Sequence, residues 1–558
     1  MNRLLFTTIL AMSAITASAQ TWLNKIKTND IIDSVVTVAT DKGWGDYLKM
    51  RTYHIYYHQP LQHSNPEGEK FQLRATLTIR NTNNYTPTNV PTYCYIGGYQ
   101  IDKNLWSTPS YYIGEGSRYE STFELAEHFN ANVVQLEHRY FGESCPEKCW
   151  TRLEYCTAEE AAADFHAIIE ALKESLKGKW IISGVSKGGQ TTAYQHVYYP
   201  DDADLFVPYA APFCYRTGDT RMMHYWTHES WTPELRENVL SLQREMLRDK
   251  EVFRYFREWK AYYDASKSTT YWQQQFIATI ALLDFQLHTY SSRADVTALF
   301  NKLDKKLVEL QSRGHSRSYL LANLVFYTTL DPSIALDWIK AKQRKAPGKY
   351  ERPEREGATF NVPVPFSIQE NEWDNNITAF YYQSQCELGY FDLDMSAILD
   401  APEDKALADS LNTIWSTTGG LTGFNLPAFK NLTFDRTLND LVHERTASTH
   451  KPLVYMYGGD DTWTGGSISD ECINNDNTHK FILPAQNHGV NISHASTDDK
   501  KHIWGIIDEL FKRDYTAIDG ITAPAPAQQG IFTLTGQRVN NPQPGRVYIV
   551  NGKKKMVK

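Results

Sequence analysis

The sequence lacks features that would place the protein across a membrane or on nucleic acid. Its one long apolar run lies near the N-terminus and is shorter than the roughly 18 to 20 residues that a membrane-spanning helix needs. The formal net charge is -8, and no long basic run precedes the C-terminal tail, which argues against a nucleic-acid partner. Hydrophobic and charged fractions of 41% and 22% are ordinary for a globular protein and exclude wholesale disorder.

Cysteine is scarce, and its number, seven, is odd. Three of the seven cluster in C-P-E-K-C-W-T-R-L-E-Y-C, residues 145–156. A zinc site would need a fourth ligand at a familiar spacing, and the sequence offers none, so we expect no metal and no other cofactor. A disulfide within this segment is the favoured interpretation for an exported protein, and the pair that forms it stays open.

Residues 1–19 have the pattern of a signal peptide. Asn2-Arg3 precedes the apolar run Leu4 to Ile15, and Ala17-Ser18-Ala19 resembles a cleavage site. No cysteine follows the apolar run, so lipid attachment there is not expected. We therefore expect an exported protein that is secreted, periplasmic or at the cell surface. Its signal peptide is expected to meet the export machinery, and the C-terminal tail is a second candidate for that contact.

Aromatic residues, by contrast, are plentiful, with 34 tyrosines and 14 tryptophans. Most are expected to pack in the core, and such rings also suit a cleft that grips chains of small units.

Strand-like and helix-like segments alternate along the first part of the chain. Alternating apolar residues predict strands at 53–57, 71–79, 92–96 and 132–137. An apolar stripe at helical spacing, which includes Phe165 and Leu172, predicts a helix at about 157–176, and a strand is expected at 180–183. Such alternation predicts parallel β-α-β units and therefore an α/β protein.

The pattern changes to helical periodicity from about residue 232 to residue 311, where Thr232-Pro233 resembles a helix N-cap with proline in the first turn. Strand character returns at residues 452–457 and 480–484, and a final helix is expected at 498–512. An α/β sheet interrupted by a long helical insertion explains this order.

These patterns divide the chain into five parts. After the signal peptide, the α/β core is expected in two stretches, residues 20–215 and 431–522, with a mostly helical cap at 216–430 between them. Residues 523–558 are predicted to be an Ala/Pro linker followed by short strands. The lysines at the end of that tail are expected to keep a strand edge soluble.

The segment G-V-S-K-G-G, residues 184–189, follows a predicted strand and precedes a helix-like segment. It matches G-x-S-x-G, the nucleophile elbow that exposes a serine oxygen on a strained turn. The glycines let strand and helix approach without Cβ clashes. The pattern is short, and a tight turn of small residues is the alternative, so Ser186 needs support from the rest of the chain.

That support comes from two later strand ends. A serine nucleophile needs a histidine base and an acid that orients it. The segments Y-M-Y-G-G-D-D-T-W (residues 455–463) and F-I-L-P-A-Q-N-H-G (481–489) supply them in the chain order Ser, Asp, His of α/β-hydrolases. His488 and one of Asp460 and Asp461 are therefore candidates, with an Asx turn or a capping role as the alternatives.

An acyl-transfer site also needs an oxyanion hole. The backbone N–H of Lys187, directly after the serine, is one expected donor. The second is expected from Gly98 or Tyr99, in the Gly-Gly turn after the strand at 92–96, and a plain turn is the alternative.

Three further motifs carry a family resemblance. With the elbow, the segments E-H-R-Y-F-G-E-S (137–144), Y-G-G-D-D-T-W (457–463) and Y-Y-Q-S-Q-C-E-L-G-Y (381–390) resemble the proline-selective serine exopeptidases. That family includes secreted bacterial prolyl tripeptidyl aminopeptidases, lysosomal Pro-X carboxypeptidase and its dipeptidyl-peptidase relatives. The resemblance spans roughly residues 53–511, and the C-terminal tail resembles a bacterial secretion-sorting domain instead.

The resemblance implies an α/β-hydrolase core with a helical cap and a triad of Ser186, Asp461 and His488. Asp461 is favoured over Asp460 because the family acid directly precedes an x-Trp pair, here Thr462-Trp463. The family usually has proline where this chain has Thr462.

The resemblance also implies peptide substrates with free N-termini, cleaved after proline to release di- or tripeptides. Glu387 is the candidate partner of the substrate ammonium, with a salt bridge to Arg139 as the alternative. Glu137 carries the same ambiguity, Trp463 is a third candidate contact, and Arg139 is expected to be structural. An esterase using the same triad, or a non-catalytic binding protein on a hydrolase scaffold, are the rival functions.

Overall fold

The computed structural model describes residues 21–40, 50–80, 87–101, 120–263, 265–327, 375–417, 432–513, 531–532, 547–550 and 553–556. It divides into two compact units, Met1–Phe511 and Lys512–Lys558. The predicted signal peptide and the predicted linker at residues 523–529 lie outside the described residues.

A nine-stranded mixed sheet forms the centre of the first unit. Its strands are β1 (Ile32–Thr40), β2 (Met50–Pro60), β3 (Lys70–Arg80), β4 (Thr92–Ile96), β5 (Asn132–Leu136), β6 (Trp180–Val185), β7 (Leu205–Tyr209), β8 (Leu453–Gly458) and β9 (Thr478–Leu483). Their spatial order is β1-β2-β3-β5-β4-β6-β7-β8-β9. The pairs from β1 to β5 are antiparallel, and every pair from β5 to β9 is parallel.

Four of the six parallel strands are buried throughout, as expected where helices cover both faces of a sheet. Every residue of β5, β6, β7 and β8 is buried. Successive residues of β6 point to opposite faces: Ile181 packs in a cluster with Leu125 and Ile507, and Ile182 in another with Phe165.

Among the described residues, five α-helices lie before β7 or after β9. They are α1 (21–27), α2 (Glu120–His128), α3 (Ala158–Lys173) and α4 (Lys187–Tyr198), and the last helix of the unit, α14 (Thr497–Lys512), follows β9. The side chain of Thr157 caps α3 by accepting the N–H of Glu160.

The described chain between β7 and β8 is predominantly helical. Its helices are α5 (Arg221–His228), α6 (Pro233–Arg248), α7 (Lys250–Tyr263), α8 (Thr269–Tyr290), α9 (Arg293–Ser312), α10 (Arg317–Tyr327), α11 (Asn375–Gln383), α12 (Lys405–Ser416) and α13 (Thr437–Ser448). A π-helical turn, Ser384–Leu388, follows α11. The predicted N-cap is confirmed, because the Thr232 side chain accepts the N–H of Leu235 and Pro233 starts the helix. Most of these helices share an apolar core of their own that includes Trp226 and Phe256.

The second unit contains a three-stranded antiparallel sheet of β10 (Ile531–Phe532), β11 (Val547–Val550) and β12 (Lys553–Met556). Throughout the described part of the chain, no helix combines the length and the apolar character needed to cross a bilayer.

Each strand and helix predicted from the sequence overlaps an observed one. Two strands, β1 and β7, were not predicted, and β7 contains Pro208, a residue that normally argues against a central strand. The mostly parallel sheet, with a strand-turn-helix at Ser186 and a long helical insertion, is an α/β-hydrolase core. The predicted fold class is thus confirmed, and the predicted domain boundaries stay predictions.

Candidate active site

Ser186 lies where β6 turns into α4, in a strained backbone conformation. Its φ and ψ are 60° and -123°, a region that residues with a Cβ rarely occupy. The N–H of Ser186 donates to the carbonyl of Tyr209 at the end of β7, at 2.9 Å, which holds the turn against the neighbouring strand. The serine is half-buried, so its oxygen can be reached.

The glycines around Ser186 are required by close packing. A Cβ on Gly184 would lie 2.5 Å from the carbonyl oxygen of Gly188, and one on Gly188 would lie 2.7 Å from that of Ile96. Either contact is closer than real Cβ atoms come to an oxygen. The elbow therefore needs glycine at both positions, because a side chain at either one would collide with the neighbouring backbone.

The structure brings Asp461 and His488 together. Asp461 follows β8 and is fully buried, and its Oδ2 accepts Nδ1–H of His488 at 2.8 Å. Its Oδ1 accepts the N–H of Trp463 at 3.2 Å, which fixes the carboxylate at the start of the turn Thr462–Gly466. A histidine that donates through Nδ1 keeps Nε2 as its basic nitrogen.

The carboxylate of the adjacent Asp460 binds residues other than the histidine. Its two carboxylate oxygens bind the guanidinium of Arg293 at 2.6 and 2.7 Å, and Oδ1 also accepts the N–H of Trp231 at 3.1 Å. Arg293 starts α9, so this ion pair ties the acid loop to the helical insertion. Of the two aspartates, Asp461 is the one that contacts the histidine.

The loop after β4 lies directly against the elbow. A Cβ on Gly98 would come within 2.4 Å of the backbone nitrogen of Gly188, so only glycine fits there. The Lys187 ammonium donates to the carbonyl oxygen of Gly98 at 2.6 Å. The residues predicted for the oxyanion hole, Lys187, Gly98 and Tyr99, are therefore neighbours.

The side chain of Lys187 is buried, and sequence reasoning had used only its backbone. The ammonium lies 4.7 Å from the ring centre of Phe141 and 5.5 Å from that of Tyr99. Burial lowers the pKa of Lys187 to about 7, and electrostatic interactions with Cys156 and Glu387 oppose this shift. Nothing in a sequence shows where the side chain after a nucleophile turns.

Glu387 lies in the π-helical turn and faces the N-terminus of α3. Its Oε1 accepts the N–H of Ala158, the first residue of α3, at 2.8 Å, and Nε2 of Gln383 at 3.3 Å. Within the described part of the chain, no hydrogen bond engages Oε2. Burial raises the pKa of Glu387 to about 7, and the hydrogen bonds and Lys187 oppose this shift.

Arg139 is not the partner of Glu387. Its guanidinium binds both oxygens of Asp164, at 2.6 and 2.8 Å, and donates to the carbonyls of Leu61 and Tyr155. The expectation that Arg139 is structural agrees with these contacts.

Glu137, for which a substrate contact and a structural salt bridge were both open, is also enclosed by the protein. Its Oε1 binds the Arg74 guanidinium and accepts the N–H of Ile101. Its Oε2 accepts the N–H of Glu143 at 3.0 Å and the hydroxyl of Ser144 at 2.8 Å. With both oxygens engaged and no exposed surface, Glu137 organises the loop after β5 instead of meeting a ligand.

Four half-buried aromatic rings connect the Gly98 loop to the histidine. We call Tyr99, Phe380, Tyr390 and Trp463 the aromatic belt. Successive ring centres are 5.6, 5.6 and 5.7 Å apart, and Trp463 lies 6.4 Å from the imidazole of His488. The motif at residues 381–390 pointed to Tyr390, whereas sequence reasoning missed Phe380.

The cysteine segment brings two of its thiols together. A hydrogen bond with Cys149, together with burial, raises the pKa of Cys145. These two thiols are thus in contact, and the predicted disulfide within the segment stays a prediction. Among the described residues, the group with metal-ligand spacing is His166, Glu170 and Asp202, and it includes no cysteine.

The comparison with known proteins agrees with the motifs. The family model described as PS-10 peptidase S37 matches residues 25–299, about half of the chain, including the elbow. The chain belongs to the peptidase S37 family. The predicted resemblance to proline-selective serine exopeptidases is confirmed.

Named relatives of this S37 chain act on proline-containing peptides, by their descriptions. The prolyl tri/tetrapeptidyl aminopeptidase of Streptomyces mobaraensis is 30% identical over 212 residues, 38% of this chain and 39% of that protein. The lysosomal Pro-X carboxypeptidase of Bos taurus is 29% identical over 165 residues, 24% of this chain and 32% of that protein. The matches thus span well under half of each relative's length.

A solved proline iminopeptidase from Mycobacterium smegmatis aligns over 86% of this S37 chain and 99% of its own, with 13% identity and a TM-score of 0.30. The fold assignment rests on the strand order and the elbow, because a likeness this low carries no argument.

One residue near the site of this S37 chain had no sequence signal at all. Glu124 on α2 accepts the Tyr209 hydroxyl at 3.0 Å and the N–H groups of Ile492 and Ser493 at 2.8 and 3.0 Å. Glu124 thereby connects residues 492 and 493, just after His488, to Tyr209, whose carbonyl accepts the Ser186 N–H. Burial raises the pKa of Glu124 to about 7.

Proposed function

We propose that this S37 protein is an exported serine exopeptidase that releases di- or tripeptides from free N-termini, preferring cleavage after proline. The observation that carries the proposal is the buried Asp461–His488 hydrogen bond, on loops at the same sheet edge as the strained Ser186. Strands β4, β6, β8 and β9 are parallel, so the loops at their carboxyl ends meet along one edge.

The mechanism follows from these positions. Ser186 Oγ attacks the scissile carbonyl while Nε2 of His488 takes its proton, and the Asp461 carboxylate stabilises the imidazolium. The N–H of Lys187 and a second N–H from the Gly98 loop hold the oxyanion. The imidazolium then protonates the leaving amine, and water, activated by the same histidine, hydrolyses the acyl-enzyme.

Glu387 supports the aminopeptidase direction. An exopeptidase measures the distance from a chain end through a charge, and a free N-terminus requires an anion. Oε1 is held by Ala158 and Gln383, which leaves Oε2 as the acceptor for an ammonium. A carboxypeptidase would need a cation for the substrate carboxylate, and the cation beside the serine, Lys187, already binds Gly98.

The aromatic belt supports the preference for proline. Proline presents a compact apolar ring, and aromatic faces bury such a ring without losing much conformational entropy. The belt runs from the loop that carries Tyr99 to the ring beside His488, so it lies along the region where a scissile bond would sit.

The decisive experiment is hydrolysis of a matched peptide panel. Peptides of two to five residues, with free or acetylated N-termini and with proline or alanine before the scissile bond, are assayed with wild type and Ser186→Ala. We expect cleavage of free, proline-containing peptides by the wild type and a loss of several orders of magnitude in Ser186→Ala.

Labelling provides the control for the nucleophile. A fluorophosphonate should label wild type once and leave Ser186→Ala unlabelled. Labelling that persists in Ser186→Ala contradicts the assignment of the serine. Preference for acetylated peptides contradicts the aminopeptidase direction, and hydrolysis of esters alone supports the esterase alternative.

Export is supported by the signal-peptide pattern of residues 1–19. N-terminal sequencing of protein collected outside the cytoplasm tests it, with a mature start near Gln20 expected. An uncleaved cytoplasmic protein contradicts export without affecting the peptidase proposal.

A further inference from the structure

The Lys187 side chain places a buried amino group directly after the nucleophile in the chain. Its side chain is 2% exposed, and among the described residues its ammonium makes one hydrogen bond, to the carbonyl oxygen of Gly98 at 2.6 Å. Burying an ammonium is costly unless it is paired, and an apolar side chain of the same length would avoid that cost. The hydrogen bond to Gly98 therefore needs an explanation beyond packing.

We infer that the Lys187 side chain is a positioning residue that orients the Gly98–Tyr99 peptide, so that the N–H of Tyr99, and not that of Gly98, is the second oxyanion donor. The inference rests on the proposed function. It goes further by choosing between the two donors and by assigning a role to a side chain that the triad mechanism leaves unused.

The geometry of the peptide bond carries the choice of donor. In a trans peptide, the C=O of one residue and the N–H of the next point in opposite directions. Since the Gly98 carbonyl points to the buried ammonium, the Tyr99 N–H points to the opposite side of the peptide. A reversed peptide would turn the carbonyl oxygen toward that side and repel an oxyanion.

The loop needs such a hold because its sequence is permissive. Gly97 and Gly98 adjoin, and two glycines let the intervening peptides rotate at little cost. Gly98 cannot be replaced by a stiffer residue, because a Cβ there would lie 2.4 Å from the Gly188 nitrogen. Rigidity must therefore come from a contact.

The flanking peptides already have anchors. The N–H of Gly97 donates to the Leu136 carbonyl at 3.0 Å, and the Tyr99 carbonyl accepts the N–H of His138 at 3.2 Å. The Lys187 hydrogen bond holds the peptide between these two anchors. The rings of Phe141 and Tyr99 keep the ammonium in place by cation–π contact.

The first test compares Lys187→Met with wild type on a peptide that the wild type cleaves. Removing the hold should lower kcat by about 10- to 1,000-fold with KM within a factor of three, because an oxyanion donor acts in the transition state. A peptide aldehyde, which forms a tetrahedral adduct with the serine, should lose affinity by a similar factor, whereas the matching alcohol should not. Lys187→Arg, which keeps a donor, should recover part of kcat.

The matched control is Lys260→Met. Lys260 is also a lysine whose ammonium lies over aromatic rings, 4.6 Å from Phe326 and 5.5 Å from Phe256, in the helical insertion. The Lys260→Met variant should leave kcat and the affinity for the aldehyde unchanged. Wild-type kcat in Lys187→Met, or a loss no larger than that in Lys260→Met, overturns the inference.

A second measurement needs no variant, so a folding defect in Lys187→Met cannot block the test. In a crystal structure of the wild type with the aldehyde bound, the oxyanion should lie about 2.7–3.1 Å from the nitrogens of Lys187 and Tyr99. An oxyanion on the Gly98 nitrogen overturns the inference. Absence of peptidase activity in the wild type would instead contradict the proposed function.

Discussion

Asp460 and Asp461 are the same residue type in adjacent positions, yet each finds a different partner. The backbone turns between them, so that Asp460 reaches Arg293 and Trp231, whereas Asp461 reaches His488. Asp460 is 1% exposed and Asp461 is fully buried, so burial does not distinguish them. Only their hydrogen-bond partners distinguish the two aspartates.

We expect Asp461→Asn to lower kcat by about 1,000- to 10,000-fold, because an amide stabilises the wrong histidine tautomer and no imidazolium. Asp460→Asn should lower kcat less than tenfold and act mainly on the thermal midpoint, since it weakens the ion pair with a partly exposed Arg293. Steady-state kinetics and thermal unfolding of both variants check this. The reverse ranking of kcat would mean that Asp460 orients the histidine.

Glu387 predicts a pH dependence at the residue scale. Burial raises the pKa of its carboxyl to about 7, so the group is protonated below that pH and ionised above it. Only the ionised form attracts a substrate ammonium. The preference for free over acetylated N-termini should therefore fall as pH drops through about 7, and fall again above about 8 as the substrate amine loses its proton.

The measurement is the ratio of kcat/KM for a free peptide to that for its acetylated form, from about pH 5.5 to pH 8.5. Using the ratio cancels the titration of the catalytic groups, which affects both peptides. Glu387→Gln should lower the ratio and remove its acidic limb. A wild-type ratio that does not vary across this range contradicts the assignment of Glu387 to the ammonium.

At the scale of elements, the elbow depends on how closely β4, β6 and α4 approach one another. Gly188, in the first turn of α4, lies under the carbonyl of Ile96 at the end of β4. That contact places the loop carrying Gly98 beside the serine. The close approach of β4 and α4, together with the conformation of the serine, thus brings the predicted oxyanion donors together.

Gly188→Ala should destabilise the protein by about 1–3 kcal/mol and lower kcat, because its Cβ would lie 2.7 Å from the Ile96 oxygen. Gly505→Ala is the matched control. Gly505 is also a helical glycine, in α14, and a Cβ there meets no atom within 4 Å. It should stabilise the protein by about 0.5–1 kcal/mol through helix propensity.

Urea unfolding and kcat measure both variants. A Gly188→Ala protein with wild-type stability and turnover would show that β4 and α4 can separate without cost. That result would contradict the tight contact between Gly188 and the Ile96 carbonyl.

The helical insertion is also an element of the site. Asp460 accepts from Arg293 on α9 and from the N–H of Trp231, and its carbonyl accepts from His288 on α8. The ring of Trp231 stacks on that of His288 with centres 3.5 Å apart. The insertion therefore supports the loop that carries Asp460 and Asp461. It also contains Glu387 and part of the aromatic belt.

At the scale of the whole molecule, the chain divides after Phe511 into a hydrolase unit and a small β unit. The catalytic candidates all belong to the first. The sheet β10–β12 belongs to the second unit, and the linker before it stays a prediction.

Truncation after Thr522 should keep kcat and the thermal midpoint of the full-length protein and should reduce export. Kinetics, calorimetry and the fraction of protein exported measure the three properties. A drop of several degrees in the thermal midpoint would show that the tail stabilises the first unit.

Much of the fold was predictable because its signals are local. Strand β4 was predicted with its observed ends, and α3 within a few residues, since alternation and helical periodicity act within a few positions. Strand β7 was missed because five residues with a proline give a weak signal. Its pairing with β6 and β8 over distant residues decides it instead.

By itself, the sequence determined the α/β class, the elbow at Ser186 and the chain order of serine, acid and histidine, because these follow from residue type and short spacing. Only the tertiary structure decided which contacts form across the chain. Glu387 meets the start of α3 at Ala158, Asp460 meets Arg293, and Glu137 is enclosed by Arg74 and Ser144. A charged side chain takes its role from the partner that folding brings to it, and that partner is set by the packing of whole elements.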